Sequence, residues 1–219
     1  MKKKLIIYGV GKLAQYVRYV FENDTDYDVI AYCIEEKLLE SNTFDNKPLI
    51  NFEQLGELYE TKSVNVFIAV GNNKIRKRLF KETKEKGYSL ASYISSKAQF
   101  WPDLITGENV FIGEGSVIQP FVEIGDNSYL ICANIGHHSK IGNHALLSVT
   151  TLGGNTLIGD HCFLGMNSTV RHNIQVGEYS IIGMNVNIEK DANPYSVYSN
   201  GGTTLRKIDS SKLLDRILL

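Results

Sequence analysis

The sequence predicts two units in series: an α/β domain on a Rossmann-type parallel sheet, then a parallel β-helix of hexapeptide repeats. Three observations carry that expectation. Apolar runs alternate with amphipathic stretches through the first 90 or so residues. Beyond them an aliphatic residue returns every six positions, with glycine in phase. Composition changes with the pattern, since residues 1–90 hold 15 of the 23 basic residues but only 5 of the 19 glycines.

The first unit reads strand, helix, strand. Lys4–Tyr8 is a short apolar run ending at Gly9, and Leu13–Phe21 has apolar residues at helical spacing. Val29–Ile34 and Val64–Val70 are further β-rich runs. Between them Ser41 or Asn51 is a candidate helix cap, and Phe52, Leu55 and Leu58 share a helical face. Lys74–Lys86 is a charged helix with a mostly solvated face, apolar at Ile75, Leu79 and Phe80 and closed by Gly87. Tyr88–Ile94 reads as one more strand. Alternation of this kind implies a parallel sheet.

The second unit has period six. Aliphatics stand at Ile112, Ile118, Ile124 and Leu130, and again at Ile158, Leu164, Val170, Val176, Ile182 and Ile188. Between the two runs, the steps Leu130–Ile135 and Leu147–Leu152 are one residue short. An amphipathic helix needs spacings of three and four, whereas period six marks a β-helix in which three units close a coil of about 18 residues. Two successive coils each shortened by one residue still stack. Ser211–Leu219 reads as an amphipathic helix capping the last coil, where a β-helix otherwise exposes unpaired backbone. The expected domains are residues 1–92 and 93–219.

A net charge of −1 on 219 residues argues against a nucleic-acid binder. No apolar stretch is long enough for a membrane span, and the lysine-rich start reads as a first strand rather than a signal peptide. Three widely spaced cysteines suggest free thiols in a reducing, cytoplasmic setting and no zinc cluster. Gly9-Val10-Gly11-Lys12-Leu13-Ala14 fits a Gly-x-Gly-x-x-Ala phosphate-binding turn after a strand. Taken alone it leaves a dinucleotide cofactor as a rival, but no hydride-transfer constellation follows.

Tyr8-Gly9-Val10-Gly11, the segment Ala69–Arg76, Lys86-Gly87-Tyr88 and the repeat, in this order, resemble one family over nearly the whole chain. It is the left-handed β-helix bacterial sugar acyltransferases, which include sialic acid O-acetyltransferases and bacillosamine and perosamine N-acetyltransferases. The resemblance implies an acyl-CoA-dependent, and specifically acetyl-CoA-dependent, acyltransferase. Its acceptor would be an amino or hydroxyl group of a nucleotide-linked or surface-polysaccharide sugar. It also implies a homotrimer with active sites between β-helices and no metal. His137 falls at the family's general-base position, and imidazole titrates where such a base must work. His138 follows where the family carries an acidic residue, so Glu114, Glu123 or Asp126 becomes the candidate to orient His137. A second family histidine falls on Leu146. The resemblance places the oxyanion amide at Gly154 and backbone contacts to the coenzyme arm at Gly165, Met166, Gly183 and Met184. It places the acceptor's nucleotide at Gly9, Gly11 and Lys12, with Glu35 or Glu36 near ribose or base, and leaves Arg206 and Lys207 available for phosphate.

Two other readings stand beside this one. Missing family features favour a non-catalytic sugar-nucleotide-binding or scaffolding protein on the same fold. A carbonic-anhydrase-like metal site fails because His137, His161 and His172 are too widely spaced. His144 and His161, 17 residues apart, are expected to stack at successive corners.

Overall fold

The structure, a computed structural model, describes residues 2–204. The expected cap at Ser211–Leu219, with Arg206 and Lys207, lies outside the described residues.

The α/β unit contains β1 (Lys3–Tyr8), α1 (Lys12–Asp24), β2 (Tyr27–Ile34), β3 (Thr43–Phe44), β4 (Lys47–Asn51), α2 (Leu55–Leu58), β5 (Asn65–Ile68), α3 (Asn73–Glu85) and β6 (Ser89–Leu90). Its strand order is β3-β4-β2-β1-β5-β6, parallel except for the β3–β4 hairpin. β1 is central and buried on both faces, which is why Leu5-Ile6-Ile7-Tyr8 does not alternate. Leu5 and Ile7 pack toward Val17 and Phe21 of α1, while Ile6 and Tyr8 pack toward Leu79 of α3.

Three expectations shift here. The sequence reading missed the β3–β4 hairpin, whose signal is Asp45-Asn46, both at positive φ as a two-residue turn requires. Asn51 and Ser41 accept from Glu53 N–H and Thr43 N–H, closing turns rather than capping a long helix. The run Tyr88–Ile94 is two strands. Ser89–Leu90 ends the first sheet, and Tyr93–Ile94 begins the next, because the amide of Ala91 bonds Val66 while that of Tyr93 bonds Val110.

The rest winds into a parallel β-helix with three faces. Face 1 runs from Tyr93–Ile94 to Val197–Tyr198, face 2 from Val117–Ile118 to Asn187–Ile188, and face 3 from Ile105–Thr106 to Gln175–Val176. Every aliphatic of the period-six series points inward and is at most 3% exposed. The short coils stack as expected, with Ile124 paired to Ile141 and Ile141 to Ile158. Both missing residues come from the corner between faces 1 and 2, where Cys132 and Val149 turn the chain at positive φ. Asparagine holds six of the positive-φ positions from Asn109 onward, as expected for a residue that tolerates the left-handed region.

The two units share one core. Phe111 and Tyr129 of face 1 pack with Phe67, Phe21 and Tyr93. Arg76 of α3, expected on a solvated face, is fully buried there, while Ile75 is 43% exposed. The helix is rotated about its axis from the expected orientation. Arg76 stacks on the Tyr129 ring at 4.5 Å. Its Nε donates to Asn127 O, its Nη1 to Val70 O and Gly71 O, and its Nη2 to His144 O and Ala145 O. The guanidinium's five N–H groups thus meet five backbone carbonyls from both units. Asp24, at the end of α1, likewise accepts from Tyr93 Oη (2.8 Å) and Ser96 N (2.9 Å) where the β-helix begins. We expect Arg76→Lys to lower stability by about 2–3 kcal/mol, because an ammonium has three donors and leaves buried carbonyls unpaired. A urea unfolding midpoint equal to that of the parent would contradict this.

Candidate functional site

His137 sits on the corner between faces 2 and 3, in the turn from Asn134–Ile135 to Lys140–Ile141. Neighbouring coils clamp its backbone. Its N–H donates to Gln119 Oε1 (2.9 Å) and its carbonyl accepts from Asn155 N–H (2.7 Å). Gln119 was not foreseen, and its only sequence signal is that it stands one coil before His137. The imidazole is exposed and lies over the Cα of Gly154, one coil on. A Cβ on Gly154 would stand 2.7 Å from both Cε1 and Nε2 of His137, so any larger residue there must displace the imidazole. Gly136 is needed for a related reason, since the backbone at Gly153-Gly154 passes where its Cβ would be. Among the described residues nothing accepts the Gly154 N–H. The structure therefore brings together the predicted base and the predicted oxyanion donor.

The orienting group differs from expectation. Glu114 pairs with Lys97 (3.4 Å), Glu123 with Lys140 (2.7 Å), and Asp126 Oδ1 accepts from Glu108 N–H (2.8 Å). His137 Nδ1 instead meets His138 Nδ1 at 3.0 Å, with the rings perpendicular. One of the two nitrogens carries the proton. If His137 is the donor, its Nε2 keeps a free lone pair beside Gly154.

Gly165, Met166, Gly183 and Met184 lie on a different corner, between faces 1 and 2. A Cβ on Gly165 would lie 3.1 Å from Met184 N, so these turns stack closely. Both methionines are exposed, at 50% and 56%. Face 2 spans the distance between this corner and that of His137 and Gly154. A groove of about 690 Å³ crosses it, lined in part by Thr151, Gly153, Thr169, His172 and Asn187.

The predicted acceptor residues gather at the carboxyl end of the first sheet. Gly11 is the residue before α1 and gives the helix no side-chain cap, leaving its first amides open toward that edge. Gly9 has φ +126, and a Cβ there would meet Ala69 O at 2.9 Å. Lys12 is exposed. Glu35 is held by Arg78 (3.0 Å) and Lys37 (3.2 Å), and the hydrogen bond from Arg78 lowers its pKa. Glu36 is exposed and opens a short 3₁₀ turn, its N–H bonded to Glu53. No described contact joins this set to His137 within one chain.

The third corner carries a ladder of rings. His144 stacks on His161 (4.7 Å), His161 on Tyr179 (4.4 Å), and Tyr179 on Tyr195 (5.0 Å). The expected stacking of His144 and His161 holds. Leu146 is half-buried, and with His161 and Tyr179 it lines a cavity of about 710 Å³ beside the start of α3. Asn127 Nδ2 donates to His144 Nδ1 (2.8 Å), which makes that nitrogen an acceptor. Burial, reinforced by His161, Lys77 and Arg76, pushes the His144 pKa down to about 4, and burial also lowers that of His161. A depressed histidine pKa contributes stability that is fully present above the unfolded value of 6.5 and lost as pH falls toward 4. After solvent screening we expect about 2 kcal/mol across that window. Urea midpoints in the parent should fall below pH 6, and the slope should flatten in His144→Asn, which keeps the left-handed backbone. An equal slope in both proteins would contradict the assignment.

Residues 4–83 match the model of the PglD N-terminal domain, residues 104–136 that of the hexapeptide repeat of succinyl-transferase, and residues 155–190 that of the bacterial transferase hexapeptide. In chain order these matches give a PglD-type N-terminal domain followed by bacterial transferase hexapeptide repeats. Solved structures agree on the fold, a left-handed β-helix behind an α/β domain. The acetyltransferase domain of PglB from Neisseria gonorrhoeae is 21% identical over 90% of this chain and 96% of that one, with a TM-score of 0.81. PerB from Caulobacter crescentus, solved with CoA and GDP-perosamine, is 24% identical over 89% and 92%, with a TM-score of 0.79. WeeI from Acinetobacter baumannii is 16% identical over 86% and 95%, with a TM-score of 0.65. Among the described residues no helix is long and apolar enough to cross a membrane, and no group of three or more His, Cys, Asp or Glu is placed to hold a metal ion.

Proposed function

We propose that this hexapeptide-repeat transferase moves an acetyl group from acetyl-CoA to an amino or hydroxyl group of a nucleotide-linked or surface-polysaccharide sugar. The observation that carries the reading is the His137 imidazole lying over Gly154, whose N–H is unpaired among the described residues. His137 Nε2 removes the proton from the attacking nitrogen or oxygen as the new bond to the thioester carbon forms. The Gly154 N–H faces the carbonyl oxygen as it gains charge. The carbon–sulfur bond then breaks, and the imidazolium returns the proton to the departing thiolate. His138 holds the His137 ring, taking the place of a carboxylate.

The coenzyme arm runs along face 2 from Met166 and Met184 toward Gly154. The backbone N–H groups of both methionines are unused among the described residues and are suited to its amides. The acceptor's diphosphate sits at Gly9, Gly11 and Lys12, against the uncapped start of α1. Because that loop and His137 are not joined within one chain, the reading has a neighbouring copy complete the site, as in a homotrimer.

The test is acetyl-CoA turnover against a panel of UDP-, dTDP-, GDP- and CMP-linked amino and hydroxy sugars. We expect His137→Ala to lower kcat at least 100-fold. Gly154→Ala should lower kcat similarly without unfolding the chain, because its methyl displaces the imidazole. Parent protein that binds a nucleotide sugar yet never releases CoA would overturn the enzyme reading in favour of a sugar-nucleotide-binding role. Full activity in His137→Ala would overturn the base.

A further inference from the structure

Phe121 stands directly below the histidine pair. Its ring centroid is 4.6 Å from that of His138, whose Nδ1 in turn meets His137 Nδ1. The fold puts a left-handed residue at this corner in each of the next three coils, at His138, Asn155 and Asn173, but it does not call for an exposed aromatic there. The Phe121 backbone is in the left-handed region at φ +64, a conformation that strains a bulky side chain. Its side chain is also 60% exposed, so burial does little to offset that strain. Six other positive-φ positions of the β-helix hold asparagine, which relieves the same strain, while Val149, Tyr179 and Tyr195 bear it as Phe121 does. The turn itself is held without the ring, since the Phe121 N–H donates to Asp103 Oδ2 (2.5 Å) and Pro120 O accepts from His138 N–H (3.1 Å).

The surroundings match a carbohydrate subsite. Two residues after Phe121 and two after His138, the exposed side chains of Glu123 and Lys140 form an ion pair at 2.7 Å. An aromatic face beside a charged donor and acceptor suits a pyranose, with its C–H face on the ring and its hydroxyls toward the charges. One coil below Gln119, Trp101 is 58% exposed on the same corner and extends the aromatic strip.

We infer that Phe121 is the platform for the acceptor's sugar ring, presenting its amino or hydroxyl group to His137 Nε2, with Glu123 and Lys140 reading the adjacent hydroxyls. This rests on the acyl-transfer reading and adds a specificity determinant to it. The variant of choice is Phe121→Asn, because asparagine accepts the left-handed backbone and keeps the Asp103 bond. Phe121→Tyr keeps the platform.

The experiment is steady-state kinetics on the acceptor that the parent turns over best. For Phe121→Asn we expect the acceptor KM to rise at least tenfold, the acetyl-CoA KM to stay within twofold, and Phe121→Tyr to restore the parent value. An acceptor KM within twofold of the parent in Phe121→Asn would overturn the platform while leaving acyl transfer standing. A parent inactive on every acceptor in the panel would overturn acyl transfer and the platform with it.

Discussion

The docking of the two units depends on one buried cation. Arg76 lies between the units with no carboxylate partner among the described residues, its charge shared by five carbonyls and the Tyr129 ring. A lone buried charge is costly unless each of its donors is met. Those acceptors come from the turn after β5 and from the corner at Asn127, His144 and Ala145, so the guanidinium is satisfied only when the units are docked. The same turn, Val70-Gly71-Asn72, leads into α3 and borders the carboxyl edge where the nucleotide is proposed to bind. Asn109 adds a second tie, its Oδ1 accepting from Ile68 N–H and its Nδ2 donating to Asn127.

The β-helix supplies a different constraint, the repetition of a turn. Each corner stacks on the one before, so residues 17 or 18 apart in sequence become neighbours. On one corner this yields a ladder of aromatic rings whose histidine pKa values are lowered by burial. On another it places His137 against Gly154 and above Pro120 and Phe121. The two coils shortened at Cys132 and Val149 straddle His137, and the register they impose is what sets its imidazole over glycine rather than over a side chain.

Much of this was legible in the residues. Period six identified the second unit and its inward side chains, and the glycines in phase marked its turns. Gly9 and Gly11 marked the first turn of the sheet. His137 and Gly154 were reachable through the repeat register together with the family resemblance. The orienting group was not. Glu114, Glu123 and Asp126 were reasonable because each lies on a nearby coil, but a carboxylate one coil away is captured by the lysine or amide that stacks with it. His138, adjacent in sequence, was the nearer partner. Arg76 was also illegible, because a basic residue in a charged helix carries no sign that five carbonyls from distant segments will surround it.

The sequence by itself determined the two units, their order and the inward-pointing series. These are local properties, written in spacing and in the conformations that glycine and asparagine allow. Only the tertiary structure decided which face of α3 is buried, that His138 rather than an acid holds His137, and that Phe121 lies beside the pair. Those depend on which coils meet and on which polar groups remain unpaired when they do, and both are settled only by docking segments far apart in the chain.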